Sequence, residues 1–165
     1  MAALTGGKKA PHFVLTTMDG SEFSLGKALA KGPVLLAFFK ISCPVCQYTF
    51  PFIERMHKAL SGKGLAIVGV SQDSPRDTAL FVREYGITFP VAIDDSKNGY
   101  AVSNAYGLTS VPTLFDIHGE GTIVLSSSGW SRAELEEIYA RHLNGVTGAP
   151  QLFQPGERVS DFRAG

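Results

Sequence analysis

Phe38-Phe39-Lys40-Ile41-Ser42-Cys43-Pro44-Val45-Cys46-Gln47-Tyr48-Thr49-Phe50-Pro51 is the stretch that decides the fold. The apolar run Val34 to Phe39 reads as a buried strand. From Pro44 onward, Val45, Tyr48, Phe52, Ile53, Met56, Ala59 and Leu60 recur at helical intervals. The two cysteines of the chain, Cys43 and Cys46, therefore stand where a strand hands over to a helix. Pro44 suits the first helical position, because its φ is preset and its missing N–H would have had no partner there. Cys43 becomes the N-cap and Cys46 lies one turn in, on the same face. At that spacing a disulfide can form and break without rearranging the backbone.

The unpaired N–H groups and the positive dipole end of the helix point at Cys43. They favour its thiolate by about 0.3 to 2 kcal/mol. The thiolate is the nucleophile in disulfide exchange, so Cys43 is the expected attacking sulfur. Cys46 is the expected resolving thiol, which closes the ring and releases a mixed-disulfide partner.

Composition bounds the rest. A chain of 165 residues, 44% hydrophobic and 18% charged, suits a single globular domain with a full core. We place that domain at residues 1–147 and read 148–165 as an extended tail on the surface, anchored by Leu152, Phe153, Val159 and Phe162. Fifteen basic and fifteen acidic residues cancel, which gives no argument for nucleic acid or an anionic membrane as a partner. Met1 to Ala10 has no apolar core of signal-peptide length, and no later run approaches the ~18 apolar residues of a membrane span. A cytoplasmic location is expected if the chain is complete, and an extracytoplasmic one if a leader has been removed.

Other elements follow from local signals. Ala10 to Leu25 reads as two strands about the turn Met18-Asp19-Gly20-Ser21, and Gly26 to Lys31 as a short helical turn. Pro51 should bend the long helix, with Glu54 and Lys58 pairing on its wet side. Leu65 to Val70 reads as a parallel strand. Ser74-Pro75-Arg76-Asp77 starts a helix that Gly86 ends. Phe89 to Ile93 is extended, Asp94 to Gly99 a turn, and Tyr100 to Tyr106 a brief helix. Leu114 to Ile117 and Thr122 to Ser126 form a hairpin. Ser131 and Glu134 have capping-box spacing at the head of the last helix.

A strand, a Cys-Pro-Val-Cys helix start, a proline further along that helix, and Ser110-Val111-Pro112-Thr113 before a hairpin together resemble the thioredoxin superfamily. Ala10-Pro11-His12-Phe13 opening a hairpin, with the insert from Gly69-Val70-Ser71 through Tyr85-Gly86, resembles its redoxin group, which shades into the peroxiredoxins. The resemblance implies an α/β three-layer sandwich with a central mixed sheet, an N-terminal hairpin extension and a βα insert. It also implies a cis Val111–Pro112 bond facing the cysteines, and substrate binding at Val111, Pro112 and Pro44, the Val111 backbone pairing with an extended substrate. The implied activity is thiol-disulfide exchange, most simply reduction of protein or small-molecule disulfides, reset by an external thiol or reductase. Val45 offers the thiolate neither charge nor hydrogen bond, which favours a reductant or intermediate potential over a strong oxidant.

The departures sharpen this reading. The acidic residue many thioredoxins bury six positions before the first cysteine is Ala37 here, the glutamate of some relatives six positions after it is Thr49, and the preceding tryptophan is Ser42. No carboxylate base for Cys46 is evident. In the peroxiredoxin pattern Pro-x-x-x-Thr-x-x-Cys, Leu36 and Lys40 occupy the proline and threonine positions, which makes thiol peroxidase the second reading. A Cu(I) carrier is the third, since two thiolates suit a soft ion. Structural zinc wants four ligands, and His12, His57, His118 and His142 show no pairing in sequence. Neither a cofactor nor a metal is expected.

Overall fold

Residues 2–165 are described in a computed structural model of the chain. Its organising strand is β3 (Val34–Phe39), every residue of which is buried. A strand sealed on both faces must lie inside a sheet that is covered above and below. The central sheet is completed by β4 (Ala66–Ser71), β5 (Val91–Ile93), β6 (Thr113–His118) and β7 (Thr122–Ser128), in the order β5-β4-β3-β6-β7. β3, β4 and β5 run parallel, while β6 opposes β3 and β7 opposes β6. The sheet is therefore mixed.

The alternation of β3 divides the core. Leu35, Ala37 and Phe39 face α2 (Pro44–Leu60), α3 (Pro75–Tyr85) and α5 (Arg132–His142). Val34, Leu36 and Phe38 face the other side, against Phe13 and Leu15 of the N-terminal hairpin, Leu25 of α1 (Leu25–Leu29), and Val102 and Tyr106 at α4 (Ala101–Ala105). The hairpin is β1 (Val14–Thr16) with β2 (Glu22–Ser24), paired antiparallel about the expected turn. These are the three layers of a thioredoxin-like sandwich.

The caps behave as their chemistry predicts. Ser74 Oγ accepts the Asp77 N–H, Ser131 Oγ accepts the Glu134 N–H, and Gly86 adopts the left-handed conformation that ends α3. α2 runs through Pro51 without interruption. Glu54 does not pair with Lys58 on a wet face. It is buried, and its two oxygens accept the Thr88 N–H at 2.8 Å and the Thr88 hydroxyl at 2.6 Å. The physical reason is the arrival of Thr88 from the far end of the βα insert, which converts that helix face into an interior one.

Residues 148–165 cross α5 and α2. Leu152 and Phe153 are buried in the α2 side of the core, and Val159 packs partly buried against it. Phe162 does not anchor. It stands 63% exposed in β9 (Phe162–Arg163), which pairs instead through its backbone with β8 (Trp130–Ser131). Among the described residues, no helix is long and apolar enough to cross a membrane.

Candidate active site

The end of β3 and the start of α2 set Cys43 at the helix N-cap in extended backbone conformation, with Pro44 as the first helical residue. The Cys46 N–H donates to Cys43 Sγ at 3.1 Å. This amide would otherwise be one of the orphan donors of the first turn, and here it converges on sulfur. On the other side, Cys43 Sγ donates to the Val111 carbonyl at 3.4 Å. The Val111–Pro112 peptide is cis. A loop 68 residues further along the chain thus closes over the first cysteine.

The two thiols, both free, differ sharply in environment. Cys43 is half-buried at the surface, whereas Cys46 is completely covered among Phe39, Phe50 and the rest of the α2-side core. Burial pushes the Cys46 thiol far above the ordinary cysteine range, and the neighbouring Cys43 sulfur adds to that shift. Pro44 is exposed, Val111 half-buried and Pro112 buried, so the rim of the site is apolar with one accessible sulfur. Beside it, Lys40, Gln72, Leu108, Thr109, Ser110 and Val111 line a cleft of about 190 Å³. A larger cavity, about 420 Å³, lies elsewhere, where the tail crosses α5.

Three features of the site were not legible as such. Asp73 Oδ2 accepts the Ile41 N–H at 2.8 Å, and its charge is among the causes that raise Cys46. Gln47 Nε2 donates to the Ile41 carbonyl at 2.9 Å. The carboxylate near the pair therefore comes from the loop after β4, not from Ala37 or Thr49. Trp130 also belongs to the neighbourhood. Its ring meets Tyr48 edge-on at 4.9 Å and Phe52 at 5.0 Å, and its indole N–H donates to the Ser160 carbonyl. The tail reaches the site through this tryptophan. A side chain at Gly129 would run into the Arg163 carbonyl, and one at Gly165 into the Val111 carbonyl, so residues 163–165 lie against the cis-proline loop.

Lys40 is exposed and Leu36 sealed within β3, so neither stands as the hydroxyl-bearing peroxide pocket of a peroxiredoxin would require. The expectation that the histidines are unpaired is corrected. His118 and His142 meet at Asp116, at the opposite end of β6 from the cysteines, because β6 and α5 converge there.

Comparison with known proteins agrees with this architecture. The AhpC/TSA family matches residues 6–126, and the chain belongs to that family. The thiol-disulfide oxidoreductase ResA of Bacillus thuringiensis (strain Al Hakam) is 33% identical over 139 residues, 83% of this chain and 78% of that one. ResA of Bacillus subtilis (strain 168) is 32% identical over 156 residues, 94% of this chain and 79% of that one. Among solved structures, a Chlorobium tepidum protein assigned as the thiol:disulfide interchange protein DsbE superposes with a TM-score of 0.75. It is 29% identical, and the match covers 86% of this chain and 99% of that one. Peroxidoxin BcpB from Mycobacterium tuberculosis superposes with a TM-score of 0.71 at 21% identity, a likeness of fold alone. The chain is a thiol-disulfide oxidoreductase of the redoxin group, thioredoxin-like in fold and related to the peroxiredoxins. An enzyme of this class needs a disulfide substrate and a reductant to reset it.

Proposed function

We propose that Cys43 and Cys46 are the redox pair and that the enzyme reduces disulfides of proteins or small molecules. The observation that carries this reading is the asymmetry of the two sulfurs. Cys43 is accessible, at a helix N-terminus, with an amide at 3.1 Å, while Cys46 is sealed behind it. The Cys43 thiolate attacks one sulfur of the substrate disulfide. That S–S bond breaks, a mixed disulfide forms, and the first substrate thiol leaves with a proton from solvent. Cys46 then attacks Cys43 Sγ as its proton passes through water to the departing substrate sulfur; the mixed disulfide breaks, the Cys43–Cys46 bond forms, and the second substrate thiol leaves. Two electrons and two protons pass from the Cys43–Cys46 dithiol to the substrate, and an external thiol or reductase restores the pair.

Val111, Pro112 and Pro44 are the substrate contact of this reading, with residues 163–165 giving way where they lie on the Val111 carbonyl. The cleft beside Val111 offers room for an extended segment, and proline presents no N–H to compete for sulfur. Residues 1–147 carry the chemistry, and 148–165 act as a strap that braces the active end of α2. With Val45 supplying no charge or hydrogen bond, the potential falls nearer the about −270 mV of thioredoxin than the about −120 mV of a strong oxidant.

Turnover separates the readings. The enzyme is expected to reduce glutathione disulfide and a disulfide-bonded protein at rates well above its consumption of hydrogen peroxide. Peroxide consumption at an equal rate would promote the peroxidase reading, which membership of the AhpC/TSA family keeps in view. Tight retention of Cu(I) by the reduced enzyme against a competing chelator would promote the carrier.

A further inference from the structure

At the far end of β6 from the cysteines, three side chains converge on one point. His118 Nε2 lies 3.0 Å from Asp116 Oδ1. His142 Nε2 lies 2.9 Å from the same oxygen and 3.1 Å from Oδ2, and the two imidazole nitrogens are 3.4 Å apart. Asp116 is completely buried in β6, beside the apolar strand residues Leu114, Phe115 and Ile117. A carboxylate there needs a compensating positive charge. Among the described residues no guanidinium or ammonium group lies within ion-pair distance of it, and its side-chain neighbours are the two imidazole nitrogens.

The triangle has the dimensions of a coordination face. Zinc bonds of about 2.0–2.2 Å to nitrogen and oxygen put tetrahedral ligand atoms ~3.3–3.6 Å apart, and octahedral neighbours ~2.8–3.1 Å apart. The nitrogen–nitrogen edge of 3.4 Å has the tetrahedral value and the nitrogen–oxygen edges of 2.9 and 3.0 Å the octahedral one. The side chain of His118 is one-third exposed, so an ion has an entrance and water can complete its shell, while the Asp116 and His142 side chains are covered and fixed. A β-bulge falls at the same place, since Asp116 pairs with Leu125 but Ile117 pairs with Ile123. Bulges concentrate beside sites where a side chain must be re-aimed.

We propose that Asp116, His118 and His142 bind a divalent first-row transition ion of the zinc class, which staples the end of β6 to the last turn of α5. Two imidazole nitrogens with one carboxylate oxygen suit such an ion. Calcium and magnesium prefer all-oxygen shells.

The test uses the full chain with Cys43 and Cys46 oxidised to the disulfide, so that no thiolate competes for metal. Calorimetric titration with Zn²⁺ should show one ion per chain with a dissociation constant of about 1 μM or below, and His118→Ala and His142→Ala should each weaken it at least ~10-fold. Co²⁺ in place of Zn²⁺ should give visible d–d absorption without a sulfur charge-transfer band, and Zn²⁺ should raise the melting temperature of the unsubstituted chain only. Retained disulfide-reductase activity in the reduced His118→Ala protein certifies its fold. Absence of saturable Zn²⁺ binding up to about 1 mM, or equal binding by the unsubstituted chain and both variants, overturns the proposal.

Discussion

Asp73 Oδ2 accepts the backbone N–H of Ile41 at 2.8 Å, while Gln47 Nε2 donates to the carbonyl of the same residue at 2.9 Å. The residue two before Cys43 is thus gripped from the loop after β4 and from the first turns of α2. Asp73→Ala removes a charged acceptor from a partly buried amide, a loss of about 1.5–3 kcal/mol in urea unfolding. Loosening Ile41 misplaces Cys43, two residues on, and should slow disulfide reduction roughly tenfold, about 1.4 kcal/mol of barrier, outweighing the easier ionisation of Cys46 once the Asp73 charge is gone. Asp73→Asn keeps a carbonyl oxygen for Ile41 and should recover most of the stability. An unchanged unfolding midpoint in Asp73→Ala would mean the contact contributes nothing.

The burial of Cys46 has a consequence at alkaline pH. Its thiol is held protonated in the folded chain, whereas the unfolded chain releases that proton at the ordinary cysteine value of about 8.5. The unfolded state binds fewer protons above that value, so stability falls as pH rises. Urea midpoints of the reduced enzyme should decline from pH 8 to 10, and less steeply in Cys46→Ala. Parallel slopes would show that Cys46 ionises as freely in the folded state.

The strap answers to acid. Arg55 clasps Glu157 through two bonds of 2.7 Å, and this hydrogen bonding lowers the Glu157 carboxyl from 4.5 to about 2. A depressed carboxylate contributes stability above its unfolded value and loses it as pH falls through the folded one. Hydrogen exchange at residues 152–160 should therefore accelerate as pH drops from about 4.5 toward 2, after correction for intrinsic rates. Arg55→Ala should give the same acceleration at neutral pH. Uniform protection in both experiments would place the hold of the strap in Leu152 and Phe153 alone.

What could be read in advance was what is local. Strand-to-helix handover at Cys43, the proline-led caps at Cys43 and Ser74, and the Ser131 cap each depend on a few consecutive residues. The central strand β3 announced itself by six apolar residues in a row. What escaped depends on partners far along the chain. Asp73 lies 32 residues from Ile41, and Thr88 lies 34 from Glu54, so the same helix face reads as wet or dry according to what packs on it. His142 looks solvated on α5 until the sheet brings Asp116 and His118 beneath it. The tail misled for a related reason. Phe162 has the look of an anchor, yet a strand held by backbone pairing does not need its side chain inward.

The direct trial of the Cys43–Cys46 assignment is trapping of the mixed disulfide. Cys46→Ser, mixed with a disulfide-bonded substrate and analysed by mass spectrometry without reductant, should accumulate one covalent adduct through Cys43. Cys43→Ser under the same conditions should accumulate none. An adduct on Cys46 in Cys43→Ser, with Cys46→Ser left bare, would reverse the roles assigned to the two sulfurs and contradict the account.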